Sequence, residues 1–362
     1  LLTCTPGAEL YSVFGHNALR IIDSTAGTDI VYNYGTFDFD DPDFYTKFVR
    51  GKLLYFLSQQ SFQNFKYEYE YFKRGIVEQV LNFDCNEKKK IQEKLFDNMQ
   101  ERNRSYKYDF LKDNCSTRLR DIIFNSASMK SDSLRMRNLT ASSYRDHLHS
   151  YLDRAKMPWT TLGIDILLGI GADLKMNTYE SMFLPDYLKM EVAKSMIGKK
   201  KLVFEENVIV PDLQTVPVSP KVFGQPLVIF SLLLIIILIL GFSKKIFAKK
   251  LKLYIERLIY LITGLLGLLF LFTWFSTDHE SFRYNINLMW AFPLNLLLFY
   301  ALSKETKSFS VLFKTCSILS LLVLFVSFLF PGTLNIGLTP FIILLSYLAW
   351  IHSKNGKRTS LN

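Results

Sequence analysis

Two hydrophobic rhythms divide the chain. Up to about Pro220, apolar and polar residues alternate or recur at short intervals; after Gln225, long runs of Leu, Ile, Phe and Val take over. In the first part, residues 16–22 and 29–37 are rich in β-branched and aromatic side chains. Asp23-Ser24-Thr25-Ala26-Gly27-Thr28 separates them, which predicts two strands joined as a hairpin. Phe65, Tyr67, Tyr69 and Tyr71 alternate with polar residues and predict a half-buried strand. Ile91, Leu95 and Met99 have helical spacing over 86–99. Leu119, Ile122 and Ile123 mark one face of a helix over 115–124, with Arg118 and Arg120 elsewhere on it. Residues 142–152 read as a further helix carrying His147 and His149; residues two apart do not share a helix face, so this is a surface pair and not a metal site. Residues 161–174 are apolar and Gly-containing but too short to span a bilayer, and 210–220 read as an extended linker.

The second part holds five apolar runs, 226–242, 258–275, 286–302, 311–330 and 336–351. Each is near the roughly 20 residues that a helix needs to cross a bilayer. Asn287, Pro293 and Asn295 interrupt the third, which is tolerated where neighbouring helices satisfy the backbone. Charge then orients the set. Lys244, Lys245, Lys249, Lys250, Lys252 and Arg257 follow the first run. Lys304, Lys307 and Lys314 lie between the third and fourth, and Lys354, Lys357 and Arg358 close the chain. Against Glu256 and Glu305, these residues account for the whole net charge of +10. A basic chain otherwise points to nucleic acid, but positives that flank apolar spans belong to the cytoplasmic side of a membrane protein. The loop 276–285 and the Pro331-Gly332 turn then lie outside, as does everything before the first span.

The 362 residues are enough for two units, and a mean hydropathy of +0.13 averages over this division. The expected layout is an extracytoplasmic domain at 1–209, a linker at 210–225, five spans within 226–352 and a cytoplasmic basic tail at 353–362. The start, without Met or a basic leading region, is that expected of a chain whose secretory signal has been removed. Four cysteines are too few for a disulfide scaffold. Cys316 lies in an apolar run; an oxidising compartment would permit Cys4 to pair with Cys85, and the sequence leaves that open.

Candidate chemistry centres on Cys115, placed where the polar turn Asp113-Asn114 meets an amphipathic helix. A helix start favours thiolate over thiol, and Asp113-Asn114 suits a helix cap. The backbone N–H groups of Cys115 and Ser116 would be free to face an oxyanion. A thiol also needs a base, and His16, after Phe14-Gly15, stands in a polar strand context in the outside domain. Asn33, on the strand expected to pair with that of His16, would orient the imidazole, with Asp113 and Asp109 competing for the role.

Several strings go further than spacing. Leu2-Thr3-Cys4-Thr5-Pro6-Gly7, Phe14-Gly15-His16, Val31-Tyr32-Asn33-Tyr34-Gly35-Thr36-Phe37-Asp38-Phe39, Arg50-Gly51-Lys52-Leu53 and Asp113-Asn114-Cys115-Ser116-Thr117-Arg118 resemble the extracytoplasmic domain of the Lnb-type lipoprotein N-acyltransferases. The motifs run over about 1–188, and the apolar half matches that Gram-negative family in layout. More distantly, the order is similar to the permuted NlpC-like and lecithin:retinol acyltransferase-like thiol enzymes. Those often have histidine at the third catalytic place, where this chain has Asn33.

The resemblance implies an α+β, permuted papain-like periplasmic domain, with an antiparallel sheet and a nucleophile helix, ahead of five inner-membrane helices. It implies that Cys115 takes an acyl chain from a membrane phospholipid and passes it to the α-amine of a diacylated lipoprotein, with His16 as base and no metal or cofactor. Arg20, Arg118 and Arg120 become candidates for phosphate contact, against the plainer reading of charges on a solvated helix face. Residues 161–174 and the aromatic run from Phe37 to Phe44 become candidates for an acyl groove. The competing reading is a membrane-anchored cysteine peptidase or amidase acting on cell-wall peptides from the same residues.

Overall fold

The computed structural model describes residues 1–127, 141–215, 222–304, 309–330 and 332–355. Linker residues 216–221, the loop residues Glu305 and Lys307, Pro331, and the tail from 356 with Lys357 and Arg358 lie outside the described residues. The chain divides into two compact units: Leu1–Tyr151 with Leu174–Pro217, and Leu152–Asp173 with Val218–Asn362.

In the first unit, the expected hairpin forms from β2 (His16–Asp23) and β3 (Thr28–Thr36), paired antiparallel. β1 (Leu2–Cys4), β4 (Leu54–Ser61), β5 (Ile76–Leu81), β6 (Ser105–Lys107) and β9 (Val203–Val210) complete one seven-stranded sheet among the described residues, in the order β6-β4-β3-β2-β1-β5-β9. Every pairing in it is antiparallel. A separate small hairpin joins β7 (Met196–Ile197) to β8 (Lys200–Lys201).

Strand side chains alternate between faces, and both faces of β2 are covered. Leu19 and Leu57 pack with Ile91 and Leu95 of helix α3 (Cys85–Met99) and with Leu119, Ile123 and Phe124 of α5 (Cys115–Ser126). Ala18 and Val31 pack instead with Phe62, Phe65 and Tyr69. Burial of each large side chain stabilises the fold by roughly 1.5–3 kcal/mol.

The expected strand through Phe65 and Tyr71 is in fact helix α2 (Phe62–Tyr71). Ser61 caps it, and Phe62, Phe65 and Tyr69 recur at helical spacing to form its buried face. Tyr67 and Tyr71 stay exposed, so alternating aromatics conveyed the wrong period. Two short helices, α1 (Phe44–Val49) and α4 (Glu101–Arg104), complete the elements before α5. Cys4 and Cys85 are unpaired: Cys4 is buried in the sheet and Cys85 is exposed at the start of α3. His147 and His149 fall on the helix Tyr144–Arg154, but His147 is not a surface residue. It is buried, stacks on Tyr187 at 3.8 Å, and burial pushes its pKa down to about 4.

In the second unit, three helices among the described residues are long and apolar enough to cross a membrane: Ile246–Phe275, Ser310–Leu329 and the stretch Ile336–Lys354. Pro226–Phe242 is apolar and 17 residues long. The expected third span is broken into a 3-10 turn at Ile286–Met289 and a helix at Asn295–Lys304. The polar residues explain the break. Asn287 Nδ2 donates to the carbonyls of Asp165 and Ile166, and Asn295 Nδ2 donates to Thr263 Oγ1. At Gly267 the broken segment comes so close that a Cβ would lie 2.2 Å from the Ala291 carbonyl oxygen.

Of residues 161–174, all but Leu174 belong with this unit. They lie in the helix Pro158–Leu167 and the turn Ile170–Asp173. Asn285 Nδ2 donates to the carbonyls of Ile166 and Leu167, and Asn335 Nδ2 donates to the buried carboxylate of Asp165 at 2.7 Å.

Candidate active site

The chain enters α5 through a turn that leaves little freedom. Asp109 Oδ1 accepts from the N–H groups of Leu111 and Lys112, and Asp109 and Asp113 exchange backbone hydrogen bonds. Asn114 then caps the helix. Its Oδ1 accepts from the N–H groups of Ser116 at 2.8 Å and Thr117 at 3.0 Å, while Thr117 Oγ1 accepts from the Asn114 N–H. The other end of the Asn114 amide donates to the carbonyls of Phe110 and Phe183. Cys115 is therefore fixed at the first helical position, where the helix's partial positive charge is greatest. Asn114→Ala is expected to lower stability by about 1–2 kcal/mol, the usual worth of a cap, measured as a drop in the thermal midpoint of near-UV circular dichroism.

His16 begins β2 directly after Gly15, whose φ is +75° and whose Cβ would stand 2.7 Å from the Cys4 carbonyl oxygen. Only glycine makes that corner without strain. His16 Nε2 and Asn33 Oδ1 are 3.2 Å apart, and the imidazole lies close enough to the thiol of Cys115 for each to shift the other's ionisation. With Nε2 on Asn33, Nδ1 is the nitrogen left for sulfur. Asn33 is buried on β3 beside the irregularity that shifts the β3–β4 register between Asn33 and Thr36. Bulges commonly re-aim side chains at active sites.

Electrostatics bind the pair. Burial alone would raise the Cys115 pKa. The charge and hydrogen bond of His16, the backbone N–H of Asn17 and the Ser116 hydroxyl outweigh burial and hold the thiol below its ordinary value. Burial alone would lower His16; the charge and hydrogen bond of Cys115, with help from Asn33, raise it above the ordinary imidazole value. Each group favours the charged form of the other, which is the condition for a thiolate–imidazolium pair.

The structure thus brings together Cys115, His16 and Asn33, and separates them from the competitors. Asp113 is taken up by Arg118, at 2.6 and 2.8 Å, and Asp109 by its own turn. Ser116 is corrected as an oxyanion donor, because its N–H is already given to Asn114. The Cys115 N–H has no acceptor among the described residues. The three arginines are also corrected. Arg20 is held by Asp29 and Glu78 and lies over Phe62. Arg118 is held by Asp113 over the Tyr106 ring, and Arg120 by Asp121 and the Tyr179 carbonyl. Each of these charges is engaged in an ion pair, with Arg20 and Arg120 largely buried and Arg118 partly exposed on its helix.

Sequence reading missed Asn17. It is fully buried, donates to Thr3 Oγ1 at 2.9 Å, accepts from Ser116 Oγ at 2.8 Å and turns its backbone N–H to the Cys115 sulfur. The available signal was a polar residue at a core-facing strand position, next to His16. Asn33→Ala is expected to slow Cys115 chemistry by about five- to tenfold, the worth of one orienting hydrogen bond. The check is the rate of Cys115 alkylation by iodoacetamide. Among the described residues, no group of three or more His, Cys, Asp or Glu side chains could hold a metal ion.

A family model described as the Lnb N-terminal periplasmic domain matches residues 1–153, and one described as the Lnb transmembrane domain matches residues 218–357. No curated protein and no solved structure matches the chain.

Proposed function

This chain belongs to the Lnb family, and on that premise we propose that it is a lipoprotein N-acyltransferase working through an acyl thioester on Cys115. At the coarser level, family membership makes it a membrane-associated enzyme of lipoprotein processing, with a periplasmic N-terminal domain and a transmembrane domain in the inner membrane. The observation that carries the finer reading is Cys115 at the start of a capped helix, electrostatically coupled to a His16 that is hydrogen-bonded to Asn33.

In the first half-reaction, the Cys115 thiolate attacks the carbonyl carbon of a phospholipid ester. The C–S bond forms and the ester C–O bond breaks. The lysophospholipid leaves with the proton that His16 holds. The N–H group of Cys115 supports the developing oxyanion, in place of the Ser116 N–H. In the second half-reaction, the α-amine of a diacylglyceryl-cysteine at a lipoprotein N-terminus attacks the thioester. The C–N bond forms, the C–S bond breaks, His16 takes the amine proton and the thiolate is restored. Asn33 holds the ring in one orientation throughout. The sequence needs no metal and no cofactor.

Both substrates are anchored in the bilayer, so a membrane-tethered thiol meets them at raised effective concentration. We read the apolar helix Pro226–Phe242 and the broken segment from Ile286 to Lys304 as completing five crossings, with the C-terminus cytoplasmic as the basic flanks require.

The test is intact mass spectrometry of the purified full-length protein mixed with phospholipid. A hydroxylamine-labile acyl adduct on Cys115, discharged by a diacyl lipopeptide, is expected. Cleavage of a cell-wall peptide with no adduct from phospholipid would instead make it an amidase.

A further inference from the structure

Two aromatic tracts leave the surroundings of Cys115, and they end differently. One runs inward from Phe110 through Phe14 at 4.8 Å to Tyr151 at 5.9 Å; Phe14 and Tyr151 are buried, and this tract is core. The other runs outward. Tyr108 stacks on Tyr55 with centroids 4.2 Å apart, Tyr55 meets Phe37 at 5.1 Å, and Phe37 meets Phe39 at 4.6 Å. Phe39 meets Phe44 at 5.1 Å, and Phe44 stacks on Phe48 at 6.2 Å. Its inner end is at the nucleophile: the point where a Cβ on Gly35 would stand is 3.9 Å from both Cys115 Cβ and Tyr108 Cε2. Exposure rises outward, from half-buried Tyr108, Tyr55 and Phe37 to Phe48 at 50% and Phe39 at 68%.

This outer end lies largely at the surface. Helix α1 carries Phe44, Tyr45, Phe48 and Val49 among its six residues, yet buries none of them. A contiguous exposed apolar patch marks a binding surface more often than chance. Charge and length narrow the occupant. Asp38, Asp40, Asp41 and Asp43 interleave the rings; Asp41 is paired with Lys47 and Arg50 follows, so the arm keeps a modest negative excess that disfavours an anionic headgroup more than a hydrocarbon. The three ring-to-ring steps from Tyr108 through Tyr55 and Phe37 to Phe44, of 4.2, 5.1 and 5.9 Å, are commensurate with one leaflet's chain length of roughly 15 Å, half the hydrocarbon thickness of a bilayer. Burial pushes the phenols of Tyr55 and Tyr108 above their ordinary pKa, so the inner walls stay uncharged.

We propose that this outward tract is the acyl-chain subsite of the enzyme: the fatty chain of the donor phospholipid lies along Tyr108, Tyr55, Phe37 and Phe44, with its ester carbonyl at Cys115. The proposal rests on the acyl-transfer reading above and adds where the donor chain lies. Of the two segments that could have lined a groove, 161–174 belongs, all but Leu174, to the other unit, and the aromatic run is the one continuous with the thiol.

The test uses the detergent-solubilised full chain and two acyl donors, a long-chain phosphatidylethanolamine and p-nitrophenyl acetate. Phe39→Ser/Phe48→Ser changes rings that are at least half exposed, with circular dichroism to show an unchanged fold; Phe37→Ala is the deeper variant. Acylation of Cys115 by the long-chain donor is expected to fall by about tenfold or more, equivalent to about 1.4 kcal/mol of lost chain contact, while acetylation keeps its wild-type rate. A phospholipid with a diazirine near the end of its acyl chain is expected to label residues 37–55 of the wild type. Equal rates for wild type and variants, a parallel fall for both donors, or a label elsewhere on a chain that phospholipid still acylates would overturn the tract alone. Acetylation of Cys115 with no acylation by any phospholipid would overturn the acyl-transfer reading and the tract with it.

Discussion

Replacing Cys115 by serine is expected to abolish acyl transfer, on the order of 10⁶-fold, the scale seen when a triad enzyme loses its nucleophile. The substitution is nearly isosteric and keeps the helix start, the Asn114 cap and the His16 contact in place, so the loss reports chemistry and not folding. The reason is ionisation. The site lowers a thiol that ordinarily ionises not far above neutrality, whereas a hydroxyl at the same position stays protonated against the same burial. The measurement is lipopeptide N-acylation followed by mass spectrometry, with circular dichroism to show an unchanged fold. Turnover near the wild-type rate in Cys115→Ser would end the thioester mechanism.

Removing the imidazole with His16→Ala is expected to lower the acylation rate by roughly 10²- to 10⁴-fold, the usual contribution of a positioned acid–base group. It also makes a second, separable prediction in pH. In the wild type, His16 depresses the Cys115 pKa, so the thiolate appears at lower pH than for an ordinary thiol and persists above that point. The thiolate in turn raises His16, so the imidazolium persists to higher pH than an ordinary imidazole and is lost above it. The ion pair occupies the window between the two, and acyl transfer should follow a bell with those limits. In His16→Ala the charge and hydrogen bond disappear while burial remains, and burial raises a thiol. The midpoint of iodoacetamide alkylation against pH should therefore move upward, to or beyond the ordinary thiol value. An unmoved midpoint would separate His16 from the thiol.

That Cys115, His16 and Asn33 come together was legible in the sequence because each carries its local context. Asp113-Asn114-Cys115 announces a capped helix start, and Gly15-His16 a corner into a strand. Asn33 could be reached because the hairpin is short enough to fix which strands are neighbours. What could not be read were long-range facts. Ser116 seemed a free donor until Asn114 Oδ1 was seen to take its N–H. Asn17 matters through partners on β1 and α5, and the spacing of one strand cannot reveal these. Arg20 looked available because Glu78 is distant in sequence and the Tyr179 carbonyl that holds Arg120 carries no charge, whereas Asp113 and Asp121, the acids of Arg118 and Arg120, lie close by in the chain. The aromatics of α2 misled for a different reason: residues three and four apart on a helix can also alternate like a strand, and only tertiary burial separates the two.

The path of the chain between its two units has a practical outcome for limited proteolysis. Because Leu152–Asp173 packs with the second unit while Leu174–Pro217 returns to the first, the backbone passes between them three times. A single cut in the linker ahead of Pro226 leaves an N-terminal fragment whose helix Pro158–Leu167 is still held by Asn285, Asn287 and Asn335 of the other fragment. Nicked protein should therefore co-purify as two fragments and stay with the membrane. A truncation that ends in the linker, by contrast, carries away a helix without the partners that bury it, and should be recovered as an aggregation-prone species.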